Sequence, residues 1–203
     1  MKIAVIGAGN IGGSIGRKWA AAGHAVSYGA RKPDGAELQT LVTAIGHGAR
    51  ATSIAEAVTA AEAILFAIPG SAMTQLIPSI AQQLAGKVLI DATNAMGGGA
   101  MNSVALLSGA SPTAHVYRAF NSLGWENFEN PKFGEVAADL FYAGPDGAPR
   151  TTIEQLIRDV GLRPVRVGGI DKVSVVDSIA SLWFALALGE KKGRHLAFKV
   201  LGI

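Results

Sequence analysis

The chain contains no cysteine. That absence excludes disulfides, thiolate metal sites and a thiol nucleophile, and it suits a reducing cytosol. Charge is also scarce: only 16% of the 203 residues are Asp, Glu, Lys or Arg, and the formal net charge is +3. The cations are scattered except at Arg31-Lys32 and near the C-terminus, which argues against nucleic-acid binding. No apolar run is comfortable for a bilayer. The longest, Val173 to Leu188, carries Asp177 and reads as a buried or interface helix. A strand begins directly after Met1, so no secretory or transit segment is expected, and a cytoplasmic location is. His24, His47, His115 and His195 lack the spacing of a catalytic triad or a metal-ligand set, so neither metal nor general acid-base chemistry is assigned to them.

What is present is alternation. Lys2-Ile3-Ala4-Val5-Ile6 is a short apolar, β-branched run that feeds into Gly7-Ala8-Gly9-Asn10-Ile11-Gly12, a G-x-G-x-x-G sequence. Ile11, Ile15, Trp19 and Ala22 then recur at helical spacing. In such a strand-turn-helix unit Gly7 permits the tight turn, Gly9 lets a pyrophosphate approach the backbone, and Gly12 lets the helix pack close to the strand. The free amides and the helix dipole hold the phosphates.

Further units follow. Ala25 to Gly29 is a second strand, Pro33 to Ile45 a helix, Ala51-Thr52 a short third strand, and Ser53 with Glu56 a capping box for the next helix. Ala63 to Ile68 is an uninterrupted apolar run closed by Pro69-Gly70, as expected of a strand buried on both faces. A helix to about Leu84 precedes the strand Lys87 to Asp91. Then come a glycine-rich loop from Ala95 to Ala100, a helix at Val104 to Ser108, a strand at Ala114 to Phe120 and a long loop from Asn121 to Gly134. A strand at Leu140 to Ala143, a helix at Thr151 to Val160 and a strand at Arg163 to Val167 complete the alternation. From about Val173 the chain reads as helical to near its end. The pattern predicts a Rossmann-like, doubly wound, mostly parallel α/β sheet. Residues 1–170 form the dinucleotide-binding domain, and 171–203 form a helical cap.

One further absence selects the nucleotide. NAD binders usually carry an acid at the end of the second strand for the ribose hydroxyls. Here Ser27-Tyr28-Gly29-Ala30-Arg31-Lys32 contains none, and the first acid is Asp34. Two cations stand there instead, and a guanidinium can grip a phosphate bidentately. NADP is therefore expected over NAD. Tyr28 and Lys32 share the Y-x-x-x-K spacing of short-chain dehydrogenases, but at the end of the second strand they would lie far from a hydride, so that match is set aside.

These residues resemble the F-420-dependent NADP oxidoreductases, which carry hydride between NADPH and the deazaflavin coenzyme F-420. Bacterial relatives and the cytosolic domain of the STEAP metalloreductases share the core. The matching stretches are Gly7 to Gly12, Gly29-Ala30-Arg31, Ala67-Ile68-Pro69, Asp91-Ala92-Thr93-Asn94, Arg118-Ala119-Phe120-Asn121 and Val160 to Pro164. The resemblance implies that Gly9, Asn10 and Ile11 hold the pyrophosphate and that Ala30 and Arg31, with Lys32, meet the 2′-phosphate. It implies that Ile68 and Pro69 flank the nicotinamide ribose, that Asn94 joins the cofactor site, and that Asn121, Ser122 and Leu123 line the acceptor pocket. Archaeal F-420 enzymes have histidine at the position matched to Asn121, and this chain follows the A-F-N form, which leaves the acceptor open between F-420 and a flavin such as FMN or FAD.

Such a hydride transfer needs no protein nucleophile. The enzyme supplies proximity, orientation and a dry pocket. Asn121 is suited to a carboxamide or a flavin carbonyl, and equally to a turn. Trp125 and Phe128 suit sheltering a planar ring or packing a core. Lys191, Lys192, Arg194, His195 and Lys199 suit an anionic coenzyme tail or, more simply, a solvated helix end. A small-imine or carbonyl reductase and a non-catalytic NADPH sensor are the alternatives. The segment from Val173 to Leu188 is apolar over most of its circumference, and pairing with a second copy across a twofold axis is expected to bury it.

Overall fold

The computed structural model describes residues 1–95 and 99–202. Its first half follows the alternation of apolar runs and amphipathic stretches: β1 (Lys2–Ile6), α1 (Asn10–Ala21), β2 (Ala25–Ala30), α2 (Ala36–Ile45), β3 (Arg50–Ser53), α3 (Ile54–Ala60), β4 (Ala63–Phe66), α4 (Gly70–Ile80), β5 (Val88–Asp91), α5 (Val104–Ala110) and β6 (His115–Arg118). These six strands pair in parallel in the order β3-β2-β1-β4-β5-β6. All four residues of β4 are buried, because helices cover both faces of a doubly wound sheet. Ile3, Val5 and Leu65 pack on the side of α1 and Trp19, and Ala4, Ile6, Ile64 and Phe66 pack on the side of α3 and α4. Each such fully buried aliphatic side chain contributes about 1.5–3 kcal/mol.

The second half adds α6 (Glu126–Glu129), a hairpin of β7 (Lys132–Phe133) and β8 (Val136–Ala137), β9 (Asp139–Ala143), α7 (Ala148–Asp159), β10 (Arg163–Gly168) and α8 (Val173–Phe184). β9 meets β6 antiparallel and pairs with β10 in parallel, so the eight-stranded sheet is mostly parallel with a reversed edge. The capping box at Ser53 forms: its hydroxyl accepts from the Glu56 amide, and Glu56 reaches back to the Ser53 amide.

Three expectations change, and a fourth is untested. α2 begins at Ala36, because Pro33 to Gly35 form a turn whose Pro33 carbonyl accepts from Gln39. The long loop after Asn121 is partly ordered into α6 and the β7–β8 hairpin. Part of the glycine-rich loop between Ala95 and Ala100 lies outside the described residues. Finally, the helical segment ends in a wide turn at Ala185–Gly189, and the following tail runs without regular structure. The tail's backbone is satisfied elsewhere: Trp183 Nε1 donates to Leu196 O at 2.7 Å and the Asp139 amide to Phe198 O at 3.0 Å. Three of its polar side chains also meet the domain. Arg194 pairs with Glu126 and lies 5.4 Å from the Trp183 ring, Lys199 pairs with Asp139, and His195 stacks on Phe133.

The stretch Ile170–Gly189 is long and apolar enough to cross a membrane by length and composition. In the fold, however, Val173, Val176, Ala180, Trp183 and Ala187 are buried in the protein, while Val175, Leu182 and Leu188 remain exposed.

Candidate functional site

A groove of about 1310 Å³ runs along the C-terminal ends of β1, β2 and β4. Crevices at this edge of an open α/β sheet are where ligands bind. It brings together Gly7, Ala30, Arg31, Lys32, Ile68 and Pro69 from the residues singled out in the sequence. Ile54 and Ala55 of α3 and Ala72, Gln75, Leu76 and Ser79 of α4 also line it, and sequence reasoning missed them. The helix patterns hide them, because a residue facing a groove from a helix scans like any other helical position.

The three motif glycines separate by what demands them. Gly7 has φ +111°, and a Cβ there would stand 2.4 Å from Ala67 O. A Cβ on Gly12 would stand 1.9 Å from Gly7 O. Both are required by the protein's own backbone. Gly9 is different: its φ is −73°, which any residue adopts, and a Cβ would meet nothing within 4 Å. Among the described residues nothing calls for glycine there. Gly9 is also the residue before α1, which has no side-chain cap and no acid in its first turn. The exposed Asn10 and half-buried Ile11 follow it. An uncapped helix start facing open space is an anion site in waiting.

Arg31 and Lys32 are exposed at the lip, and among the described residues neither side chain is held by an ion pair or hydrogen bond. Tyr28 points the other way. Its hydroxyl is buried and donates to Gly12 O and Gly13 O at 3.3 Å, and burial raises its pKa far above the usual phenol range. Tyr28 is therefore a packing residue beneath α1.

Asn94, Asn121, Ser122 and Leu123 sit apart from the groove lining, at the ends of β5 and β6. Asn94 Nδ2 donates to Asn121 O at 2.9 Å, and its Oδ1 accepts from Arg118 at 2.9 Å. Asn121, Ser122 and Leu123 are buried, with 4%, 1% and 5% exposure, and among the described residues Asn121 Oδ1 and Ser122 Oγ have no hydrogen-bond partner. The backbone between them is strained: Phe120 has φ +63°, the left-handed region that bulky residues avoid. Its ring is locked edge-on between Trp19 and Phe128, each 5.8 Å away. Phe128 is thus a core residue. Trp125 is half-buried against the same core.

Under this turn lies a polar cluster that sequence reasoning did not identify. Arg118 is fully buried. It donates from Nε to Asp177 at 2.8 Å, from Nη1 to the carbonyls of Asp91 and Thr93, and from Nη2 to Asn94. Asp91 accepts from the Thr93 amide and hydroxyl and from the Ser103 amide. Asp177 also accepts from Asn102. One signal was available: three charges, Asp91, Arg118 and Asp177, each interrupt an otherwise apolar run. Among the described residues no group of three or more His, Asp or Glu side chains is arranged to hold a metal.

Fold and groove together define a Rossmann-like α/β domain with a crevice at the C-terminal edge of its sheet. Residues 2–95, a little under half of the chain, match the family described as NADP oxidoreductase, coenzyme F-420-dependent. The chain is also similar to the metalloreductase STEAP3 of Rattus norvegicus, with 25% identity over 183 residues. The match takes in 88% of this chain but only 36% of the metalloreductase, so the chain spans about a third of that relative. Among solved structures, a protein of Arthrobacter sp. FB24 provisionally described as an F-420-dependent NADP reductase superposes over the full length of both chains, with TM-score 0.85 and 23% identity. A hypothetical protein of Sinorhizobium meliloti is 26% identical, with TM-score 0.68, over 84% of this chain and 86% of its own. A reductive aminase from Aspergillus terreus, solved with NADPH and ethyl-5-oxohexanoate, shares the fold at 19% identity and TM-score 0.67, over 93% of this chain and 63% of its own.

Proposed function

We propose that the chain is an NADPH-dependent oxidoreductase that passes hydride directly to a flat, flavin-like acceptor, either the deazaflavin F-420 or a flavin. The observation that carries the reading is a groove that joins Gly7 and Ala8 to the unengaged cations Arg31 and Lys32, with the unobstructed Gly9 following Ala8 just outside the groove lining. Bound there, the nucleotide supplies hydride from its nicotinamide, and the protein supplies position and exclusion of water. The α1 start at Gly9, Asn10 and Ile11 holds the pyrophosphate. Arg31 and Lys32 neutralise the 2′-phosphate. Ile68 and Pro69 give the ribose an apolar wall, and Asn121 to Leu123 form the floor toward the acceptor.

The alternative, reduction of an imine or carbonyl compound, calls for a proton donor. The described lining of the groove contains no aspartate, glutamate, histidine or tyrosine. That favours ring-to-ring transfer, in which no protein acid takes part. We place the activity in the cytoplasm, and we propose a homodimer paired through the exposed Val175, Leu182 and Leu188 on α8 and the turn that extends it. Light scattering at micromolar concentration tests the pairing: a dimer mass is expected, and a monomer mass with and without NADPH contradicts it.

Mixing the protein with NADPH and, in turn, F-420, FMN, FAD and a ferric chelate tests the activity. Consumption of NADPH with F-420 or a flavin is expected. No consumption with any acceptor contradicts electron transfer and leaves the sensor reading in its place.

A further inference from the structure

We infer that the cluster of Asp91, Arg118 and Asp177 is an electrostatic element that favours the oxidised, cationic nicotinamide and so makes the bound reduced nucleotide a stronger hydride donor. The inference rests on the nucleotide-binding reading above. The cluster's charge follows from its hydrogen bonds. Every contact to Asp91 comes from a donor: the Thr93 amide and hydroxyl, the Ser103 amide, and an Arg118 Nη1 at 3.4 Å. Asp177 likewise receives Arg118, Asn102 and the more distant Asn121 amide. Carboxylates surrounded by donors alone are ionised, and a guanidinium always is. Two anions against one cation leave a net charge of about −1, held by side chains of which Asp91 and Arg118 are fully buried.

Its position is fixed from both sides. Asp91 lies beside Phe66 in the sheet register, two residues before Ile68 of the groove. A Cβ on Gly70, the residue after Pro69, would stand 3.1 Å from the Ala95 Cβ, so the segment leaving Asp91 abuts the Pro69 turn. Arg118 in turn holds Asn94. The cluster therefore underlies the Pro69 end of the groove, opposite the end where Arg31 and Lys32 stand. Two partnerless buried acceptors, Asn121 Oδ1 and Ser122 Oγ, lie on the same turn and suit an incoming amide donor.

When hydride, a proton with two electrons, leaves the nicotinamide C4 for a flavin or deazaflavin ring, the nicotinamide gains one positive charge. A fixed negative charge behind it lowers the energy of that product. At about 10 Å and an effective dielectric of about 25 to 50, one unit charge changes such an equilibrium roughly threefold to tenfold.

The test compares dissociation constants for NADP+, NADPH and 2′,5′-ADP, which lacks the nicotinamide, in the wild type and in Asp177→Asn. The expected result is a threefold to tenfold weakening of NADP+ relative to NADPH, with 2′,5′-ADP unchanged. A tenfold change in that ratio corresponds to about 30 mV in the potential of the bound couple. Asp177→Glu, which keeps the charge, is expected to keep the ratio. Asn94→Asp, which places another carboxylate against Arg118, is expected to move it the opposite way and serves should Asp177→Asn fold poorly. An unchanged ratio in a folded variant overturns the inference, as does an equal weakening of all three ligands, which marks a merely structural role. Wild-type protein that binds none of the three overturns the functional reading itself.

Discussion

At the Gly7 to Gly12 turn the protein offers backbone and open space. At Asn94 and Asn121 it offers side chains already committed to one another. The proposed nucleotide end depends on neighbours in sequence: one strand, one turn and one helix start, with Arg31 and Lys32 one unit further along. The floor at the ends of β5 and β6 depends on residues far apart, since Arg118 reaches back 27 positions to Asp91 and forward 59 to Asp177. A site made of backbone tolerates almost no side chain where the chain crosses itself, yet is open where a ligand enters. A site made of side chains is stable only when all its partners are present.

Substitutions can break this comparison, and the largest effect is expected inside the turn. Gly12→Ala places a methyl group on Gly7 O, and overpacking against backbone is expected to cost about 3 kcal/mol or more. Thermal melting checks this, and an unchanged melting temperature would show that the turn yields. Gly9→Ala is the sharper partner. Its Cβ enters open space, so melting is expected to shift only by the preference of a helix cap, about 1 kcal/mol. NADPH binding is expected to fall about a hundredfold, or about 2.7 kcal/mol, because the pyrophosphate contact is blocked. If both glycine variants lose stability equally, the distinction between them fails.

Next in size is Arg31→Ala, expected to weaken NADPH about tenfold to a hundredfold while NADH changes little. Equal losses for the two nucleotides would show that Arg31 does not read the 2′-phosphate.

A smaller effect lies away from both sites and serves as a control. Glu154 on α7 has its pKa lowered from 4.5 to about 2, first by the hydrogen bond from Tyr142 and then by Arg150 and Arg158. Its pKa is lower folded than unfolded, so its contribution is complete above about pH 5 and is lost as pH falls toward 2. Glu154→Gln is expected to lower stability by an amount on the order of 2 kcal/mol at pH 7, and the difference from wild type is expected to vanish near pH 2. A constant difference across that range would contradict the assignment. Nucleotide affinity at pH 7 is expected to be unchanged.

The same contrast explains what was legible in the sequence. The parallel strands, the glycine turn and the Ser53 capping box could be read because each is decided within a dozen residues. The start of α2 was misplaced because Pro33-Asp34-Gly35 suits a helix start and a turn alike. The tail after Gly189 was read as helix because its true partners, Glu126, Asp139 and the Trp183 indole, lie on elements that only the fold brings near. Asn121 can be singled out from the sequence as a candidate, but the Arg118 cluster beneath it cannot. A lone charge in an apolar run does not name its partner.

The central claim is that this groove is an NADP site whose phosphates meet the Gly9 turn and Arg31. Calorimetric titration of the wild-type protein with NADPH and NADH, run beside Gly9→Ala, tests it most directly. The account predicts that NADPH binds at least about tenfold more tightly than NADH and that a well-folded Gly9→Ala protein binds neither well. Equal affinity for the two nucleotides, or undiminished binding by the alanine variant, would contradict it.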